Sequence, residues 1–337
     1  MFLIINILIF ILLLFFFKFF AFKLKLVDSP SSRKKHEGDI PVIGGLVIYF
    51  TILIASFYFE TSSYMTTVLY TSVILIILGA LDDAIGLGVI FRLLTQLVCC
   101  LIVIGSGLVI SNIGNYMFLP NIEISFFAVL FTVFCVIGLT NSFNFIDGND
   151  GLCSSLSLIS ILSIIFLTYL NNSIIFFIDL NFLLSICFTL LLFIFFNVTN
   201  FSKIFLGDAG SMFLGFFVAF LLIITSQGQS QIIHPILTIW CVTLPVFDIT
   251  SVVIRRILRG INPFKPDRRH VHHILLELGF SNISTTLIII TIAAVLNSFG
   301  VIIFYLSGPF PTLISFILLL CAYVIFMIRL SRFANSI

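Results

Sequence analysis

Charge is scarce in this chain: lysine, arginine, aspartate and glutamate make up 9% of its 337 residues, against 61% hydrophobic residues. With a mean hydropathy of +1.28, that balance excludes a water-soluble globule. Apolar runs of about 20 residues are each long enough to cross a bilayer core of roughly 30 Å. Metal-type cysteine spacing is also missing. The seven cysteines (Cys99, Cys100, Cys135, Cys153, Cys187, Cys241 and Cys321) fall inside apolar segments with no CxxC pair, which argues against a zinc site and leaves them as small core residues. There is no internal repeat, soluble domain or low-complexity tail, so residues 1–337 read as a single transmembrane domain. No A-x-A cleavage site follows the first apolar segment, and its positive charges come after it, so it is expected to be a permanent span and not a signal peptide.

What is present is an all-α, polytopic pattern of about eleven spans: 2–22, 42–59, 65–81, 91–110, 124–141, 152–170, 180–197, 209–226, 232–254, 284–306 and 311–329. Placing the N-terminus outside puts all 16 basic residues on or near the cytoplasmic side, and the C-terminus with them. The acids Asp82, Asp83, Asp147, Asp150, Asp208, Asp248 and Asp267 gather at the same face, whereas the outer face keeps only Glu60, Glu123 and Asp179. The cytoplasmic loops expected to carry chemistry are 23–41, 82–91, 141–151, 197–211 and 255–283.

Asp82 and Asp83 lie at the C-terminal end of the third span, where the helix dipole disfavours carboxylates and two neighbours repel. A cation must compensate them, and the candidates are a metal ion and Arg92. The runs 141–152 and 204–215 each place Asp and Gly just before a span, where Asp commonly caps a helix but where backbone N–H groups also form a ready anion site. Capping and functional readings weigh equally for either run alone. The last inner loop joins six basic residues between Arg255 and Arg269 to His270, His272 and His273, a composition suited to an anion or to anionic lipid head groups. Hard oxygen ligands beside arginines point to magnesium rather than zinc. Asp248, roughly 9 Å inside the ninth span by helical rise, is either functional or one half of a buried structural pair with an arginine near Arg255.

Five motifs in order carry a family resemblance: RKKHEGDIPVIGG at 33–45, the Asp82–Asp83 pair, N-x-x-N-x-x-D-G-x-D-G-L from Asn141 to Leu152, F-L-G-D-A-G-S from Phe205 to Ser211, and P-D-R-R-H-V-H-H from Pro266 to His273. The chain resembles the polyprenyl-phosphate N-acetylhexosamine-1-phosphate transferases (glycosyltransferase family 4), in the branch that uses undecaprenyl phosphate and UDP-GlcNAc. The resemblance implies Asp82, Asp83 and Asp208 as catalytic acids, the first two near the lipid phosphate, and Mg²⁺ (or Mn²⁺) on Asp208 and Asn144. It implies a nucleotide pocket of Asn141, Asp147, Asp150 and Phe205, the last stacked on uracil. Arg92, Arg268, Arg269, His270, His272 and His273 would bind phosphate and sugar. The stretch NVTNFSK before Phe205 departs from the family pattern, which puts Asn197 in doubt as a substrate ligand.

The implied partners are a UDP-N-acetylhexosamine, undecaprenyl phosphate and the bilayer of a bacterial inner membrane, with no nucleic acid; a homodimer is compatible with them. The implied reaction is Mg-dependent direct attack of the lipid phosphate on the UDP-sugar, with release of UMP, at the start of O-antigen or another cell-envelope polysaccharide. A phospho-MurNAc-pentapeptide transferase is the alternative within the family, although that branch usually carries a different histidine loop. A transporter or flippase is the alternative outside it, and would place its charges near the midplane, reachable from both sides.

Overall fold

The computed structural model describes residues 2–30, 38–59, 61–117, 121–171, 180–228, 231–260, 262 and 270–334. Arg268 and Arg269 therefore lie outside the described residues, as do the basic residues 33–35.

Helix α1 (Phe2–Ala21) leads into a short inner ribbon, β1 (Val27–Asp28) paired antiparallel with β2 (Ile40–Pro41), Val27 opposite Pro41. Then follow α2 (Gly44–Ala55), α3 (Ser63–Ile85), α4 (Val89–Gly105), α5 (Ala128–Ile146, entered by one 3₁₀ turn), α6 (Leu152–Leu170), α7 (Leu180–Val198) and α8 (Gly207–Ser226). The chain continues through α9 (Pro235–Cys241), α10 (Thr243–Leu258), α11 (Val271–Glu277), α12 (Asn282–Ser307) and α13 (Pro309–Ala334). The protein is an all-α polytopic membrane protein. Among the described residues eight helices are long and apolar enough to cross a membrane, or nine if α9 and α10 form one bent span. Helix α2 has 12 residues and α4 has 17. At 1.5 Å per residue α2 reaches only about 18 Å, so the expected span at 42–59 is a shorter helix that follows a bridge of Val42 to Phe205 and ends in a turn at 56–58.

Helix α8 is the hub. Every residue from Ala209 to Ser226 is buried, as expected of a helix that is apolar all round, and α2, α3, α5, α6 and α9 pack on it. Small residues permit the close crossings: a side chain at Gly79 of α3 would strike the backbone of Ala209, and one at Gly215 the backbone of Thr140. These crossings set the ends of α3, α5 and α8 side by side.

The segment 232–254, expected as one straight span, is broken. Helices α9 and α10 meet at 79°. Pro245 has no N–H to offer the carbonyl of Cys241, four residues back, and its ring would clash with that carbonyl. The freed carbonyl accepts from Asn297 Nδ2 of α12 at 3.0 Å, which satisfies a backbone group that lipid could not.

Candidate active site

The turn 86–88 between α3 and α4 folds Arg92 back over the end of α3. Asp82 accepts the Leu87 amide and pairs with Arg92 across 2.9 Å. Arg92 also stands 3.6 Å from Asp208 Oδ2. Asp83 is compensated differently: its oxygens accept the backbone amides of Asp208 at 2.9 Å and Ala209 at 3.3 Å. The unfavourable C-terminus of α3 is thus set against the N-terminus of α8, whose free amides and positive dipole end stabilise a carboxylate. Gly207 makes this approach feasible, with φ +75° and no room for a side chain between Asp83 and Val42.

Asp208 lies in the first turn of α8 but does not cap it. Its Oδ1 accepts from Asn144 Nδ2 at 2.6 Å, and the same amide reaches Ser211 Oγ at 2.9 Å. The cap of α8 comes from Asp83, which leaves the Asp208 side chain 34% exposed. Asp147 follows the last residue of α5 and forms no hydrogen bond or ion pair among the described residues. Burial, with Asp208, Asp83 and Asp150 adding to it, holds its carboxyl well above the usual range. Among the described residues, Asp82, Asp83, Asp147 and Asp208 share this corner with one arginine, Arg92. Every carboxylate and amide donor there is oxygen or nitrogen of hard character, and no three His, Cys, Asp or Glu side chains among the described residues converge into a ready metal cage.

A second group adjoins it. Asp150 pairs with Lys203 at 2.6 Å, and the same ammonium lies 5.6 Å from the ring centre of Phe205. Phe205 is fixed by its backbone, donating to Pro41 O and accepting from the Gly44 amide. Asp150, Lys203 and Phe205 therefore form one row. Asn197 stands behind it with both ends of its amide engaged, accepting from Gly151 N and donating to Ile204 O. It is an internal brace between α6 and the 199–206 segment.

Asn141 is not brought into this row. Its amide donates to Gln96 Oε1 at 2.7 Å and to Ile137 O at 2.8 Å, and Gln96 in turn reaches Met212 Sδ at 3.4 Å. Arg92 and Gln96, Asn144 and Asn141, and Asp208 and Met212 are spaced three or four residues apart on α4, α5 and α8. The second member of each pair makes a polar tier directly below the first.

The histidines lie against the inner end of α5. His270 is 5.5 Å from the Phe145 ring and stacks at 6.1 Å on His272, whose ring is 4.0 Å from His273. His272 is fully buried against Gly148, with neither ring nitrogen hydrogen-bonded among the described residues. Burial first, then His273, pushes its pKa down to about 3, which keeps this ring neutral near pH 7. Among the described residues Asp248 pairs with a histidine and not with an arginine. It bonds His270 Nδ1 at 2.7 Å and the Val271 amide at 3.0 Å, with Tyr323 Oη at 3.4 Å.

Sequence reasoning missed Lys203, Gln96 and Ser211 as members of this region. Lys203 had a visible signal, since Asp150 needs a cation and Lys203 is the one beside the GDAGS motif. Ser211 had one as the last residue of the F-L-G-D-A-G-S motif, whereas Gln96, uncharged and outside every motif, had none.

The sequence model of glycosyl transferase family 4 matches residues 65–226, the stretch holding Asp82, Asp83, Asn144, Asp147 and Asp208. The undecaprenyl-phosphate alpha-N-acetylglucosaminyl 1-phosphate transferase of Escherichia coli strain K12 is 32% identical over 318 residues, 91% of this chain and 84% of the relative. The enzyme of the same name from Salmonella typhi is 31% identical over 319 residues, with the same two coverages. A probable undecaprenyl-phosphate N-acetylglucosaminyl 1-phosphate transferase of Bacillus subtilis strain 168 is 30% identical over 304 residues, 89% of this chain and 83% of the relative. Relatives at this identity, aligned over nearly the whole chain and through the acid cluster, establish that this protein is a transferase belonging to glycosyl transferase family 4.

Proposed function

We propose that the chain transfers an N-acetylhexosamine 1-phosphate, GlcNAc 1-phosphate by default, from its UDP derivative to undecaprenyl phosphate and releases UMP. The setting is the cytoplasmic face of a bacterial inner membrane, crossed about eleven times with the N-terminus outside, and the product starts an O-antigen or another envelope polysaccharide. The observation that carries this reading is the Asp82–Arg92–Asp208–Asn144 cluster at the ends of apolar helices, where a soluble nucleotide can meet a lipid head group. The names of the relatives support undecaprenyl phosphate as the acceptor and N-acetylglucosamine 1-phosphate as the group transferred.

Both reactants are phosphates, so the barrier contains strong repulsion, and catalysis consists of positioning and neutralisation. Asp208 with Asn144 would hold Mg²⁺, with Mn²⁺ as a substitute. The donors fit, because Mg²⁺ takes one or two carboxylates and completes its shell with water and substrate phosphate, and does not require a three-acid cage. When bound, the ion would supply positive charge to the phosphates. Arg92 clamps the lipid phosphate while Asp82 orients Arg92. Lys203, Asp150, Asp147 and Phe205 hold the nucleotide. His270, His272 and His273, with Arg268 and Arg269, take the diphosphate and sugar.

Direct attack by the lipid phosphate fits these contacts better than an aspartyl intermediate. Asp83 has both oxygens on the α8 amides and Asp208 has one on Asn144, so neither is a free nucleophile. A phosphate monoester with its second pKa near 6 is already largely dianionic at pH 7.

The test is to incubate the purified protein with radiolabelled UDP-GlcNAc, Mg²⁺ and undecaprenyl phosphate. Label in the organic phase with UMP released supports the reading; release of UDP, or no lipid-linked label, refutes it. Exchange of labelled UMP into UDP-GlcNAc without any lipid would refute direct attack.

A further inference from the structure

We infer that Asp248 is a positioning residue for the transfer, fixing His270 so that its Nδ1 is held by the Asp248 carboxylate and its Nε2 is left to hydrogen-bond a phosphate oxygen of the donor. The inference rests on the proposed reaction for its ligand, and on the Asp248–His270 geometry for the rest.

Asp248 is 0% exposed in α10, a helix packed between α5, α12 and α13. A carboxylate there is costly unless its oxygens are fully engaged, and the engagement is directed at one segment. Oδ2 takes His270 Nδ1 and Oδ1 takes the Val271 amide, the first free N–H of α11. Tyr323 of α13 adds its hydroxyl to Oδ1. One buried acid thereby sets both the start of α11 and the orientation of the ring before it.

An ionised carboxylate only accepts hydrogen bonds, so Nδ1 carries the hydrogen. The opposite ring atom, Nε2, forms no hydrogen bond among the described residues and is not among the buried unpaired atoms. The ring stands beside Phe145, next in sequence to Asn144 and two residues before Asp147. A carboxylate behind an imidazole fixes its tautomer and direction wherever the other nitrogen has a ligand to meet. A loop anchor alone would be served by the Val271 and Tyr323 contacts.

Asp248→Asn isolates the effect. Its carbonyl oxygen can keep the Val271 amide, while its NH₂ must face His270 and turn Nδ1 into an acceptor. In ¹⁵N-histidine spectra of the full-length protein in lipid nanodiscs, the signal lost in His270→Asn identifies His270 among the five histidines. The wild type should show Nδ1 protonated and Asp248→Asn should show it unprotonated. In the transfer assay, Asp248→Asn should raise the apparent KM for UDP-GlcNAc by about 10- to 100-fold, the range typical when a partner that orients a ligating histidine is lost. The KM for undecaprenyl phosphate should not move. His270→Asn keeps an N–H at the Nδ1 place but has nothing at Nε2, and should show the same donor defect; the double variant should be no worse than either single one.

A donor KM unchanged in Asp248→Asn, or an active His270→Asn, would reduce Asp248 to a loop anchor and overturn the inference. Silence of the wild type with UDP-GlcNAc is the separate failure of the donor assignment, and the spectra still decide the Asp248–His270 pairing.

Discussion

Asp83 and Asp208, 125 positions apart, divide two tasks that a sequence cannot tell apart. Asp83 caps α8, and Asp208, bonded to Asn144, keeps its side chain partly exposed. Asp208→Asn should therefore abolish nearly all turnover while leaving the thermal unfolding midpoint in detergent close to wild type. Asp83→Asn should lose activity and also about 1 to 2 kcal/mol of stability, since it removes a charge and one acceptor from the α8 amides. A midpoint lowered as much by Asp208→Asn as by Asp83→Asn would reverse the assignment. His272 gives a pH signature with a definite sign. Its pKa is pushed from 6.5 to about 3 in the folded protein, so the unfolded chain binds the extra proton between those values. Stability from this group is complete above pH 6.5 and falls as pH drops toward 3. Melting curves at pH 7.5, 6, 5 and 4.5 should show the wild type losing more on acidification than His272→Gln; parallel slopes would mean that the ring is not held neutral. The acids themselves were legible as residues because charge is so rare here. Which acid bonds which group was not, because Asp83 and Asp248 each act on a segment distant in sequence.

The helices were legible from apolar run length, and each of the eleven expected segments contains at least one helix. The bend between α9 and α10 was legible in principle, since Pro245 lies inside the run, but its amplitude depends on Asn297 from α12 reaching the Cys241 carbonyl. The lower polar tier was invisible for a different reason: Gln96 is an uncharged residue in an apolar helix, and only packing reveals that it is 1% exposed and bonded to Asn141. This tier holds α4 and α5 in the register that sets Arg92 and Asn144 on either side of Asp208. Gln96→Leu should leave the Asn141 amide short of an acceptor, costing about 1 to 3 kcal/mol, and should raise the Mg²⁺ concentration needed for half-maximal activity. Titrating Mg²⁺ for both proteins checks this. A raised KM for UDP-sugar alone, with stability and Mg²⁺ requirement unchanged, would instead return Asn141 to the nucleotide pocket.

At the scale of the molecule, an apolar hub helix carries the site at one end. The contacts of Lys18 with Ser202, Arg92 with Asp82, Lys203 with Asp150 and Asp248 with His270 all belong to that end. The opposite end is tied by neutral groups: Gln227 binds the amides of Ser111 and Asn112, and His234 meets Asn115. Burial, with a backbone carbonyl of Asn115 opposing it, lowers the pKa of His234, so this histidine adds no positive charge to that end near neutral pH. Cytoplasmic loops retain lysine and arginine because translocating them is unfavourable, and the charged end should therefore face the cytoplasm. Single cysteines in a cysteine-free variant test this at exposed positions whose side chains make no hydrogen bond or ion pair among the described residues: Gly88 and Arg259 at the charged end, Asn121 at the other. An impermeant thiol reagent added to intact cells should label Asn121→Cys and spare Gly88→Cys and Arg259→Cys; inverted vesicles should give the reverse. Labelling of Gly88→Cys from outside would turn the molecule over. The acid cluster would then be out of reach of a cytoplasmic nucleotide sugar, and the proposed donor would fall with the orientation.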